Sequence, residues 1–308
     1  MSNSLALAAP ASADWRDWVV LTKPRVMSLV VFTGFIGLWM APGHIDPVSG
    51  LAAILAIALA SGGAGAINMW YDRDIDGRMR RTANRPVPMG RIDALDALGF
   101  GVVLSGLSVM LMGLAANWLA AFLLAVSIGY YVGIYTMWLK RRTPFNIVIG
   151  GAAGAFPPVV GWAAVTGSVD LLPLLMFVIT FFWTPPHFWS LALYAEIDYE
   201  RAGVPMLPVV AGARETRKQI LIYTLLLLPI SLLPYWLGLV GRSYGVVVAL
   251  LGLGFVVHAI RVWRDQCDAS GASALNDKPA RQAFRFSLVY LAVLYVAFAV
   301  DAAIRSVT

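Results

Sequence analysis

Residues 51–91 read LAAILAIALASGGAGAINMWYDRDIDGRMRRTANRPVPMGR. The first half, Leu51–Trp70, holds no charged side chain. Twenty residues wound as an α-helix rise about 30 Å, the thickness of a bilayer's hydrocarbon core. The second half then carries three aspartates and six arginines, from Asp72 to Arg91. An apolar run of that length that ends in dense charge reads as a transmembrane helix leaving the membrane at its C-terminus. The run is continuous and does not alternate, so it is not a barrel strand.

The rest of the chain repeats the pattern. Of 308 residues, 59% are apolar and 13% charged, where a soluble domain carries about 25% charged; the mean hydropathy is +0.75. This excludes a cytosolic globular enzyme, a disordered scaffold and a disulfide framework, and the single cysteine, Cys267, has no partner within the chain. Nine candidate spans cover roughly residues 26–41, 51–70, 94–115, 118–139, 144–167, 171–195, 220–240, 244–263 and 284–304, the first able to extend back towards Trp18. The expected fold is all-α: a polytopic bundle of about nine transmembrane helices, with a cytoplasm-facing active-site cavity. Residues 1–14 read as a disordered cytoplasmic tail, because Leu5–Ala13 is short and has no basic residue before it. Residues 15–308 read as one membrane domain.

With nine spans and the N-terminus inside, 21 of the 23 basic residues fall on the cytoplasmic side; only Arg242 and Arg305 lie outside. The net charge of +6 therefore reads as topology and not as nucleic-acid binding. The C-terminus is expected on the outer side. Fourteen of 17 acids share the cytoplasmic face. Acids contribute little to orientation, so their clustering needs another cause.

Asn68, Asp72 and Asp76 stand at i, i+4 and i+8, one face of a continuing helix. Two carboxylates and an amide oxygen suit a hard divalent cation such as Mg²⁺, which keeps waters and substrate phosphates in its shell. The arginines that follow can fork onto phosphate. Together they point to a diphosphate substrate; the alternative is a solvated loop of paired ions. A second acidic helix end, Glu196 to Glu200 with Asp198, lies four spans later and could face the first patch across the bundle. Lys23, Arg81, Arg85 and Lys140 are candidate diphosphate contacts, the lysines having snorkelling as their ordinary role. His187, after Pro185 and Pro186, is an intramembrane ionisable group, either a functional contact or a structural hydrogen bond beside a proline kink. His258 has no motif around it. The glycine runs 61–65 and 150–154 read as close helix contacts. The aromatics Trp70, Tyr71, Phe181, Phe182, Trp183 and Trp189 could line an isoprenoid path or simply pack the bundle.

The run Asn68–Arg91 resembles the first aspartate-rich motif of the UbiA-type intramembrane prenyltransferases, Asn-x-x-x-Asp-x-x-x-Asp followed by Arg-Thr-x-x-Arg-Pro. Thr22–Arg25, Trp138–Gly151, Thr184–Trp189 and Gly203–Pro208 are similar to the heme-directed branch of that superfamily. The resemblance covers roughly residues 15–305. It implies transfer of a farnesyl group from farnesyl diphosphate to a vinyl group of heme b, with Mg²⁺ held by Asn68, Asp72, Asp76 and Asp198. It casts Asp72, Asp76 and Asp198 as the catalytic acids and makes His187 a candidate heme contact. The superfamily's second motif is Asp-x-x-x-Asp; here its second position is Ala202, so Asp198 is the only matching carboxylate and Glu196 or Glu200 would have to substitute. The resemblance also implies a bacterial inner membrane and handover of product to a heme A synthase or terminal oxidase. Competing readings are a prenyltransferase for a quinone precursor or other aromatic acceptor, a membrane transporter and a non-catalytic heme-binding assembly factor.

Overall fold

The computed structural model describes residues 13–266 and 273–306. The expected tail thus falls almost wholly outside the described residues, as does Cys267. Among the described residues every element is helical: α1 Trp15–Leu21, α2 Pro24–Met40, α3 Pro47–Tyr71, α4 Arg73–Asp76, α5 Ala94–Ala115, α6 Trp118–Gly129, a π-helix Tyr130–Leu139, α7 Asn146–Gly150, α8 Ala152–Ala155, α9 Pro157–Thr166, α10 Leu171–Tyr194, α11 Glu196–Arg201, α12 Leu207–Trp236, α13 Arg242–Trp263 and α14 Lys278–Arg305. Eight stretches are long and apolar enough to cross a membrane, and the pair α1–α2, bent by 53°, makes the ninth. The chain is a multi-pass membrane protein. Large apolar side chains such as Leu51, Leu107, Leu114, Phe122, Leu250 and Val289 stand more than half exposed on its outer faces, as lipid-facing surface does. No aqueous fold tolerates that.

Several elements differ from the expected spans. The first is broken at Lys23, whose φ is +52°. α12 starts at Leu207 and not near Ile220, and is interrupted by Gly212 at φ +80°. α14 starts at Lys278, a turn and a half before the apolar run. Charged turns, 214–218 in α12 and 278–285 in α14, can project past the hydrocarbon layer while their stems snorkel, so an apolar window underestimates both helices. The fifth span is three short pieces, α7, α8 and α9, broken before Pro157 and Pro158, which lack the N–H that would continue the ladder.

Small residues set the helix crossings, as the glycine run 61–65 predicts; in the run 150–154, Gly150 and Gly151 meet the Tyr135 and Thr184 side chains, whereas Gly154 is not a close contact. Gly63 on α3 faces Gly101 on α5: a methyl at either would lie 2.8 Å from the other's carbonyl oxygen. At the crossing of α2 and α9, a methyl at Gly161 would lie 2.1 Å from the Gly34 carbonyl oxygen, and one at Gly37 would lie 2.1 Å from that of Pro158. With no hydrophobic drive between helices in lipid, such backbone contacts provide much of the association. N-terminal caps fix the entry of several helices: Asp46 accepts from the Val48 and Ser49 amides, Asp93 from Leu95 and Asn117 from Ala120.

Candidate active site

α3 carries Asn68 at its last turn and stops at Tyr71. The expected uninterrupted helix is therefore not present: Asp72 caps α3 with φ −88° and ψ 7°, and α4 takes Arg73–Asp76. The i→i+4 backbone bonds nevertheless persist, Asp72 N to Asn68 O at 2.9 Å and Asp76 N to Asp72 O at 2.8 Å. The three side chains consequently stay within one constellation. All three are buried, Asp72 completely.

Burying carboxylates requires partners, and the structure supplies them from four segments. Asn68 donates to Asp72 Oδ2 at 2.8 Å and to Thr136 Oγ1 at 3.0 Å, and its own oxygen accepts from Lys23. Lys140 pairs with Asp72. Arg85 Nη1 meets Asp76 Oδ2 at 2.5 Å. Arg141 forks onto Asp74 at 2.7 and 2.8 Å, with Asp72 Oδ1 at 3.6 Å, and its hydrogen bonds hold the Asp74 carboxyl below the usual range. Lys23 is thus joined through Asn68 to Asp72, which Lys140 and Arg141 also meet, so these groups form one network.

Two local structures bring the lysines in. Lys23 lies at the α1–α2 break, and that break sits in a groove of α3 made by glycines. A methyl at Gly62 would lie 3.1 Å from Thr22 Cβ, and one at Gly65 3.3 Å from the Leu21 carbonyl oxygen and 3.5 Å from Lys23 Cδ. Lys140 follows the π-helix, and its amide donates to the Tyr135 carbonyl, five residues back, at 2.9 Å. Nine residues of α-helix make about 2.5 turns, which would put Tyr131 and Lys140 on opposite sides. The wider winding brings them to one side. Tyr131, whose ring is 5.5 Å from Tyr135, accordingly senses Asp72, Asp76 and Arg85. π segments recur at functional sites for this reason.

The second acidic patch does come to the first, through loop packing. Ile75 and Met79 share an apolar cluster with Tyr199, Ala202, Val204 and Met206. Asp198 is half-buried and accepts the Arg80 amide at 3.3 Å. Arg81 reaches the Tyr199 hydroxyl at 3.5 Å, whose acidity burial lowers. Neither Arg81 nor Asp198 is paired with Asp72 or Asp76. His187 is packed away between Trp183 and Phe284, at centroid distances of 4.3 and 4.6 Å, with Nδ1 2.6 Å from Ser287 Oγ. That contact ties α10 to α14 beside the two prolines. Sequence reading did not single out Thr136, Arg141, Tyr131 or Tyr135; Arg141 carried a signal in its place beside Lys140.

The donor set fits Mg²⁺ held jointly with phosphate and not a closed protein cage. The available ligands are hard oxygens, and buried Asp72 Oδ1 has no hydrogen-bond partner. No group of three or more His, Cys, Asp or Glu among the described residues could hold a metal by itself. Such a site needs waters and substrate oxygens to complete its shell.

A model of the family described as "UbiA prenyltransferase family" matches residues 30–289. The protoheme IX farnesyltransferase of Granulibacter bethesdensis is 63% identical over 301 residues, 97% of this chain and 95% of that protein. That of Acidiphilium cryptum is 63% identical over 92% of this chain and 90% of its own. Among solved structures, a digeranylgeranylglyceryl phosphate synthase superposes with a TM-score of 0.75 at 19% identity, covering 93% of this chain and 98% of that one. A UbiA homologue from Archaeoglobus fulgidus, solved with DMAPP and Mg²⁺, gives 0.69 at 15%, covering 92% and 99%. The buried amide–carboxylate ladder, the nine-span bundle and the family match over most of its length agree: this chain belongs to the UbiA prenyltransferase family.

Proposed function

We propose that this protein transfers a farnesyl group from farnesyl diphosphate to a vinyl group of heme b, giving heme O and diphosphate. The observation that carries the reading is the buried set Asn68, Asp72 and Asp76 with half-buried Lys23, Arg85 and Lys140 upon it. It occurs in a chain 63% identical over 97% of its length to a protoheme IX farnesyltransferase. Asn68, Asp72 and Asp76, with Asp198 from the second acidic segment, would hold Mg²⁺. When bound, the metal supplies charge neutralisation of the leaving diphosphate.

The chain's own residues do the rest. Lys23, Arg85 and Lys140 move from the carboxylates to the diphosphate as it enters, and Arg81 joins them. Their charge stabilises the leaving group as the bond from farnesyl carbon to oxygen breaks. The allylic cation then forms a carbon–carbon bond with the heme vinyl. Water adds to the other vinyl carbon and releases a proton, which completes the hydroxyethylfarnesyl group. Tyr131 and Tyr135 stand on the π-helix that leads to Lys140; their aromatic faces would stabilise a nearby cation and exclude stray water. The site opens to the cytoplasm from a bacterial inner membrane, with the N-terminus inside and the C-terminus outside. Product passes to a heme A synthase or terminal oxidase.

The purified protein, given heme b, farnesyl diphosphate and Mg²⁺, is expected to yield heme carrying the hydroxyethylfarnesyl mass. Farnesylation of an aromatic quinone precursor in place of heme would overturn the acceptor assignment. In the same assay Arg85→Gln should cut kcat/KM for farnesyl diphosphate on the order of 100-fold, the typical loss of one preorganised charge partner. Arg85→Lys should recover part of it, because a lysine keeps the charge but not the fork. Unchanged kinetics in Arg85→Gln would remove Arg85 from the diphosphate site.

A further inference from the structure

The geometry points to a binding site for an anionic phospholipid headgroup between α13 and α14, outside the site described above. A groove of about 340 Å³ is lined by His258, Arg261, Gln282, Arg285, Phe286 and Val289. The residues from α13 are one turn apart, and those from α14 fall at i, i+3, i+4 and i+7, so two facing helix stripes make the groove. Its composition is divided. Phe286 and Val289 form an apolar floor, and the His258 ring lies 4.6 Å from that of Phe286, tilted by 32°. Arg261 and Arg285 stand at the end of the bundle that also carries the aspartate-rich segments, as the contact of Arg281 with Tyr194 at the end of α10 shows.

Both guanidinium groups are exposed, and neither has a carboxylate within ion-pair distance among the described residues. The nearby acids are otherwise engaged: Asp265 and Asp277 both lie within reach of Arg217, at 3.3 and 3.8 Å. His258 Nδ1 is buried and has no hydrogen-bond partner. Two cations without a carboxylate partner among the described residues, with a polar amide above an apolar floor on helices with exposed apolar outer faces, complement a phosphodiester whose acyl chain follows Phe286 and Val289. Basic pockets between membrane helices bind such headgroups.

Native mass spectrometry of the full-length protein tests this, with dioleoylphosphatidylglycerol and dioleoylphosphatidylcholine as probes. Phosphatidylglycerol is expected to bind first and at least tenfold more tightly. Each arginine near an anionic lipid contributes about fivefold, so Arg261→Gln/Arg285→Gln should lose about 25-fold for phosphatidylglycerol and little for phosphatidylcholine. Val289→Trp, which fills the floor and keeps both charges, should weaken the same binding and serves where the double variant does not fold. Equal binding of the two lipids to the wild type, or a preference that survives both variants, overturns the proposal. Displacement of phosphatidylglycerol by heme b one for one also overturns it, by assigning the arginines to heme carboxylates.

Discussion

Replacing Asp72 with alanine is expected to lower farnesyl transfer on the order of 1000-fold while the protein still inserts and folds. Asp72 gathers three partners in the constellation: Asn68, Lys140 and Arg141 all converge on its carboxylate. Loss of a single preorganised charge-stabilising group costs about 100- to 1000-fold, and Asp72 also orients its neighbours, so the upper end applies. Folding should survive because Lys140 and Arg141 are partly exposed, 14% and 31% at their side chains, and can turn to water. Asp72→Asn separates charge from shape. It keeps the hydrogen-bonding volume and is expected to be nearly as inactive as alanine. Activity within tenfold of wild type in Asp72→Asn, measured by product mass against time, would show that the carboxylate charge is not needed.

Gly161→Ala should damage the fold itself. The added methyl would lie 2.1 Å from the Gly34 carbonyl oxygen and 2.9 Å from the Leu38 amide nitrogen. Both obstacles are backbone, so no rotamer change relieves them, and α2 must move away from α9. Overpacking typically costs 1–3 kcal/mol, and a clash between two backbones belongs at about 3 kcal/mol or beyond. A drop in apparent unfolding temperature on the order of 10 °C follows, readable from tryptophan fluorescence in detergent. Gly154→Ala is the control, since a methyl there meets nothing within 4 Å. Equal unfolding temperatures for the two variants would contradict the close-crossing account.

These expectations show what was legible in the chain. Apolar length against bilayer thickness suffices to read nine spans, and the i, i+4, i+8 spacing of Asn68, Asp72 and Asp76 survives a helix break because the backbone bonds carry through it. Position relative to the membrane edge marks Lys23, Arg85 and Lys140 as candidates. What each of them contacts was not legible. Lys23 reaches Asn68 only because glycines in α3 admit the α1–α2 break, a contact between segments some 40 residues apart. The π winding that puts Tyr131 and Lys140 on one side leaves no periodicity in an all-apolar run, where every face looks alike. Asp198 illustrates the opposite case: its segment packs on the first motif as expected, yet its carboxylate accepts the Arg80 amide. Spacing along a helix specifies a face, whereas the aim of a side chain across a loop depends on tertiary packing.

Asn68, Asp72 and Asp76 are proposed to hold a divalent cation that binds farnesyl diphosphate. Calorimetric titration of farnesyl diphosphate into the purified protein, with Mg²⁺ and with a chelator, in wild type and in Asp72→Asn, tests it most directly. Binding is expected in wild type with Mg²⁺, with a loss of at least tenfold in affinity on chelation or in the variant. Equal affinity with and without the metal, in a wild-type protein that still turns over, would contradict it.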